Sequence, residues 1–385
     1  MRVALVALSL LSLGARAPEW MHDLPWLELT SPEPAQSVSG SIGLVEIQGR
    51  AGTGVRAPVD VVLVLDLSES TFYPSGLDVD RDGLVGRLHE RGVRRASGSL
   101  RPTWLWTTDP GDTIVAAEIE AARRLLGRLE AARTRVGLVR FAGHAREVTP
   151  VGPVDVALRA LERIRPGPDP SGTNLGSAIR SGLRLLHRSA RQVGAGRRQV
   201  LIVLSDGQPT SPAPAIHAHR YAIKAAERAL ASGVHVYAYA LGSTREEAHV
   251  LAEMAEMTDG EFIDVQRIGD VVDHLPYTDF AGIDAVSMTN RTSGLDGRAI
   301  RLFGDGSFDG FVPLVAGENL LEVRVRSSKG DEMRTLRTVR YEPSSEVGTD
   351  LSRLLHVRTV ETELAARARE RREARKREVK LDIQR

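Results

Sequence analysis

Residues 61–70 read VVLVLDLSES: an apolar run ends in Asp66 and is followed by hydroxyls at alternate positions, Ser68 and Ser70. Oxygen side chains at i, i+2 and i+4 share one side of an extended chain, and on a loop they can also converge on a point just beyond the strand. Oxygens converging on one point suit a hard cation. The apolar run shows no alternation, which fits a strand buried on both faces of a parallel sheet.

Similar runs bounded by turn signals occur at 59–65, 135–142, 199–204, 233–241 and 261–265. Helical patterns separate them, over about 155–164, 174–188, 217–231 and 245–257. The clearest is DPGDTIVAAEIEAARRLLGRLEA, beginning at Asp109. Here Asp109 is expected as N-cap, Pro110 in the first turn and Asp112 as capping-box partner, with an apolar stripe of Val115, Ile119, Ala122, Leu126 and Leu129. Strand and helix alternating in this way predict a doubly wound α/β domain with its ligand site beyond the carboxyl ends of the strands. Two further segments point to that edge. SGTNLG, residues 171–176, opens a helix near Thr173, and LIVLSDG, residues 201–207, puts Asp206 just past a buried strand.

In this order, D-x-S-x-S, a threonine and an aspartate resemble the metal-ion-dependent adhesion site of the von Willebrand factor A-type domain, over roughly 56–278. The resemblance implies a site for Mg²⁺ or Mn²⁺ held by Asp66, Ser68, Ser70, Thr173 and Asp206. It also implies one coordination position left for an acidic group of a protein partner. Hydroxyl ligands leave more of the cation's charge uncompensated, which strengthens that attraction. The structural alternative has Ser68 and Ser70 capping a helix while Asp66 binds backbone amides. It does not account for Thr173 and Asp206 at the same edge.

In the resembling family a helix starts soon after the second serine; here it waits until about 110, so 71–108 reads as an insertion at the rim of the site. Within it, DVDRDGLVGRLHE places Asp78, Asp80 and Asp82 before Gly83, the first half of an EF-hand-type calcium loop. The second half departs: the closing acidic position falls on His89, with Glu90 one residue late. A calcium site and a solvated acidic loop both remain open, and the insertion is read as shaping or covering the metal site.

From 280 to 343 short alternating strands with turns at 304–306, 316–319 and 328–330 are similar to bacterial immunoglobulin-like β-sandwich modules. Residues 27–54 supply the strands such a module carries at its start, so the α/β domain is expected to interrupt one all-β sandwich. Two separate small β elements are the alternative. Residues 344–385 are highly charged and read as a helical tail; RERREARKRE intersperses its cations with glutamates and suits a solvated face.

Bulk properties narrow the function. Lys+Arg number 51 against 50 Asp+Glu in 385 residues, a formal net charge of +1, and aromatics are 4%, which argues against a nucleic-acid partner. The absence of cysteine excludes disulfides, thiol catalysis and cysteine-held zinc. No nucleophile elbow or Walker loop occurs. His217-Ala-His219, the one close histidine pair, reads as helix-start surface. MRVALVALSLLSLGARA, residues 1–17, has the grammar of a secretory signal peptide ending in A-x-A, and no other segment approaches the roughly 20 apolar residues of a membrane span. The expectation is an exported protein, periplasmic or secreted, that binds a protein partner through a metal and is not an enzyme. The alternatives are a metal-dependent hydrolase and an assembly partner of an AAA-type ATPase.

Overall fold

The structure is a computed structural model that describes residues 24–54, 56–94, 100–164, 171–194, 196–344, 358, 359 and 362. The expected signal peptide lies outside the described residues, as does the expected helical tail apart from residues 344, 358, 359 and 362. The chain divides into two compact units, one holding residues 57–277 and the other the segments before 57 and from 278 to 367.

The chain begins with β1 (Pro25–Ser31), β2 (Gln36–Gly40) and β3 (Leu44–Thr53). The α/β unit follows in the order β4 (Val59–Asp66), β5 (Leu88–Arg94), β6 (Leu100–Thr107), α1 (Ile114–Leu126), β7 (Thr134–Phe141), β8 (Ala145–Pro153), α2 (Val154–Leu161), α3 (Leu175–Val193), β9 (Arg198–Ser205), α4 (Ala215–Ala231), β10 (Val234–Leu241), α5 (Arg245–Met257), β11 (Phe262–Val265) and α6 (Val271–His274). The chain then returns to strands: β12 (Ile283–Asn290), β13 (Leu295–Asp296), β14 (Arg298–Leu302), β15 (Ser307–Pro313), β16 (Gly317–Ser327) and β17 (Glu332–Pro343).

Six strands form the central sheet of the α/β unit in the order β11-β10-β9-β4-β7-β8, parallel except for the antiparallel edge pair β7–β8. Every residue of β4 is buried, because helices cover both faces. Val62 and Val64 join a core with residues of α3, α4 and α5, while α1 packs against β4 as well. The strand order reverses at β4, with β7 on one side and β9 on the other. A doubly wound sheet opens its ligand crevice at such a switch point.

The helix expected from about 110 begins later. Asp109 caps only a 3-10 turn, Pro110–Asp112, and the N-cap of α1 is Thr113, whose hydroxyl accepts from the amide of Ala116 at 3.2 Å. Asp112 is instead drawn inward and accepts from Val79 N (2.6 Å) and Gly86 N (2.9 Å) of the insertion. Of the expected stripe, Val115, Ala122, Leu126 and Leu129 are buried and Ile119 is half-buried, and the buried face also takes in Ile114, Glu118, Ala121 and Leu125. The insertion also contains the antiparallel pair β5–β6.

In the other unit, β1-β3-β15-β14 face β13-β12-β16-β17-β2 across a core that includes Ile47, Phe308, Val312, Leu321 and Val323. Strands from the two ends of the chain pair directly. β3 is antiparallel to β15 over Leu44–Arg50, and β2 is parallel to β17. Thr53 N donates to Ala281 O at 3.0 Å. In the turn before β15, Gly306 has φ +83° and a Cβ there would meet Ala51 O at 1.9 Å, so the residue must be glycine. Asn319 holds the turn before β16 by accepting from Val315 N (2.9 Å) and donating to Gly317 O (2.9 Å). Arg358 sets its guanidinium 2.5 Å from Glu46 Oε1 and 4.9 Å from the Phe311 ring.

Candidate metal centre

β4 stays extended as far as Ser68, and a 3-10 turn, Glu69–Phe72, then carries Ser70 round. The turn is tied by Thr71, whose N–H and hydroxyl both reach Ser68 O, at 3.1 and 2.8 Å. The two serine hydroxyls come together at 3.3 Å by this turn and not by strand alternation. Ser70 Oγ donates to Asp206 Oδ1 at 3.1 Å, and Asp66 Oδ1 accepts from Ser68 N at 2.9 Å. Asp66 therefore does take a backbone amide, but Ser68 makes no side-chain cap.

Asp206 follows β9, the neighbour of β4, so two adjacent strand ends present two acids to one place. Thr173 is buried in the loop before α3. Its N–H donates to Thr210 Oγ1 at 2.9 Å and its carbonyl accepts from Thr210 N and Ser211 N. The structure thus links Asp66, Ser68, Ser70 and Asp206 in one hydrogen-bonded chain and places Thr173 on a neighbouring loop outside it.

The charges at this edge are uncomfortable without a cation. Burial, and then the neighbouring Asp206 carboxylate, push Asp66 up to about 7, although Ser205 Oγ donates to its Oδ2 at 2.6 Å. Burial raises Asp206 also, against the hydrogen bond from Ser70. A third acid, outside the sequence motif, lies behind them. Glu118 of α1 is 0% exposed and accepts from Asp66 N through Oε2 at 3.1 Å. Burial, followed by the charges of Asp66 and Asp206, holds its carboxyl well above the ordinary range. An all-oxygen set of carboxylates and hydroxyls, with like charges gathered and partly desolvated, fits a hard divalent cation.

In the insertion, one oxygen from each of Asp78, Asp80 and Asp82 lies within 4.8 Å of the others. Gly83, at φ +90°, makes the turn and donates its N–H to Asp78 Oδ2 at 3.1 Å. A Cβ at Gly111 would stand 2.1 Å from Asp80 Oδ2, so glycine permits the segment before α1 to approach the loop. Among the described residues no helix is long and apolar enough to cross a membrane.

A family model for the von Willebrand factor type A domain matches residues 110–274, a span that includes Thr173 and Asp206 and begins after the insertion. No curated protein matches the chain. Among solved structures, the chain is similar to an aerotolerance-related membrane protein from Bacteroides fragilis, with 18% identity over 56% of this chain and 96% of that one and a TM-score of 0.38. It is similar to a von Willebrand factor type A protein from Catenulispora acidiphila, with 12% identity over 90% and 80% of the two chains and a TM-score of 0.39. It is also similar to proximal thread matrix protein 1 of the mussel byssus, described with a zinc-occupied MIDAS motif, with 15% identity over 57% and 46% and a TM-score of 0.37.

Proposed function

We propose that the chain, whose residues 110–274 match the von Willebrand factor type A domain, is an exported protein-binding module that captures an acidic group of its partner through a bound Mg²⁺ or Mn²⁺. The observation that carries this reading is the hydrogen-bonded chain from Asp66 through Ser68 and Ser70 to Asp206 at the switch point of the sheet. Asp66, Ser68, Ser70, Thr173 and Asp206 would hold the cation, which would supply a Lewis-acidic position for an incoming carboxylate. Ser205 and the Ser68 amide orient Asp66 from behind, and the Glu69–Phe72 turn keeps Ser70 aimed at Asp206. Oxygen-only donors favour Mg²⁺ or Mn²⁺ over softer metals.

The interrupted β unit is proposed as an immunoglobulin-like sandwich, 27–54 with 280–343, serving as spacer or second contact surface. Asp78, Asp80 and Asp82 are proposed to hold Ca²⁺, on the convergence of their oxygens. Calorimetric titration of metal-free protein tests the main site. Asp66→Ala and Asp206→Ala should each abolish high-affinity Mg²⁺ binding, and unchanged binding in both would refute the assignment. Pull-down of exported proteins with and without EDTA then identifies the partner, and Ca²⁺-specific protection of 71–108 from proteolysis tests the loop.

A further inference from the structure

We infer that Glu118 is a third acid of the metal centre, a positioning residue whose negative charge strengthens cation binding from behind Asp66. The inference rests on the site proposed above and adds to it a residue that the adhesion motif does not contain.

The backbone explains why a side chain is needed there. The β4–β9 ladder ends at Val64 and Val203, while β4 continues to Asp66. Leu67 N bonds across to Phe141 O on the β7 side, so by the alternation of a strand the amide of Asp66 points to the other side, where β9 no longer pairs. Glu118 Oε2 fills that vacancy at 3.1 Å.

A neutral amide-like group would do as much. What the brace leaves unexplained is the second oxygen. Glu118 is 0% exposed, and its Oε1 has no hydrogen-bond partner among the described residues. Buried polar atoms are almost always satisfied, and an exception calls for an explanation such as an ion or an ordered water. The other oxygen of Glu118 is bonded to the backbone of Asp66, which heads the bonded chain through Ser68 and Ser70 to Asp206, the other acid of the proposed site. A buried carboxyl with an unused oxygen, held against the backbone of a proposed ligand, is costly in isolation. Beside a divalent cation it is favourable, because it acts on the metal directly through its charge and through the ligand it supports.

Glutamine separates the two roles, since its side-chain carbonyl can still accept from Asp66 N–H while the charge is lost. Metal-free full-length parent, Glu118→Gln and Glu118→Asp are titrated with Mn²⁺ and with Mg²⁺ by calorimetry. Asp206→Ala supplies the background from the acidic loop. Glu118→Gln should melt at or above the temperature of the parent and bind Mn²⁺ about ten-fold more weakly or worse, the scale of outer-shell carboxylate effects. Glu118→Asp keeps the charge and shortens the brace, so it should bind more tightly than Glu118→Gln. Affinity of Glu118→Gln equal to that of the parent, or Glu118→Asp binding no better than Glu118→Gln, would overturn the inference. Should Glu118→Gln not fold, Glu118→Asp decides alone: affinity within about three-fold of the parent supports the charge role, and a ten-fold loss or more overturns it. A parent that binds neither metal above the Asp206→Ala background removes the site itself, an outcome distinct from a parent that binds and a glutamine variant that binds equally.

Discussion

Asp60 and Asp66 lie near opposite ends of β4, both with no exposed surface, and their surroundings are opposed. Asp60 accepts from Arg135 Nε (3.1 Å) and Nη2 (2.8 Å), from Arg197 Nε (2.5 Å) and from Ser189 Oγ (2.5 Å). Asp66 likewise takes a serine hydroxyl, from Ser205, but the charges near it are the acids Asp206 and Glu118. Burial raises the carboxyl of Asp60, and the hydrogen bonds from Arg135, Ser189 and Arg197 outweigh that and hold it below its ordinary value. Burial raises Asp66, and Asp206 raises it further. At one end of the strand arginines match the buried acid; at the other, acids gather with no cation beside them among the described residues.

The largest test of that contrast is Asp60→Asn, which leaves two partly buried arginines without their anion. It should cost about 3 kcal/mol or more in denaturant unfolding at neutral pH. The depressed carboxyl fixes the pH behaviour. Its contribution is complete above the unfolded value near pH 4 and is lost as the pH falls through the lower folded-state value. The parent should therefore lose stability on acidification in that range, and the variant should lack this component. A variant within experimental error of the parent at neutral pH would make the network ornamental.

Ser189→Ala removes one donor and leaves both arginines, so the expected loss is smaller, about 1.5 kcal/mol. Equal losses for Ser189→Ala and Asp60→Asn would show that the serine and not the ion pairs carries the end of the strand. The smallest effect should have the opposite sign. In EDTA at pH 8, Asp206→Asn removes a like charge from the Asp66 end and should stabilise the metal-free protein by about 1 kcal/mol. Destabilisation on the scale of Asp60→Asn would erase the difference between the two ends.

The sequence was readable where burial was total. Val61–Leu65 and Leu201–Leu204 have no polar face to disguise them, and the parallel sheet follows from such runs. β8 carries no such signal: it is an antiparallel edge strand, AREVTPVGP, with exposed positions and few apolar ones. At the site, Asp66, Ser68, Ser70 and Asp206 could be grouped from their order alone, but the turn that brings Ser70 to Ser68 could not. α1 starts later than its sequence suggests, since Asp109-Pro110 is also a good helix opening while Asp112 is drawn to the amides of Val79 and Gly86. Glu118 stands outside the adhesion motif. One signal was available: Ile114, Glu118, Ala121 and Leu125 recur at helical spacing, and a glutamate on an otherwise apolar stripe is out of place.

The bond from Thr53 to Ala281 spans 228 positions of chain, and this separation sets a clock on folding. At roughly 5–20 residues per second, synthesis keeps β3 waiting about 10–50 s before the strands that complete its sheet exist. The intervening α/β unit ends at residue 277, before β15 begins at 307, and holds its own internal contacts, whereas β1 and β3 spend the wait as an unmatched pair with open edges. Such edges pair with whatever strand arrives first. The slow, vulnerable part of making this protein therefore lies in the first strands and the last, and the α/β unit is complete before the unit that brackets it.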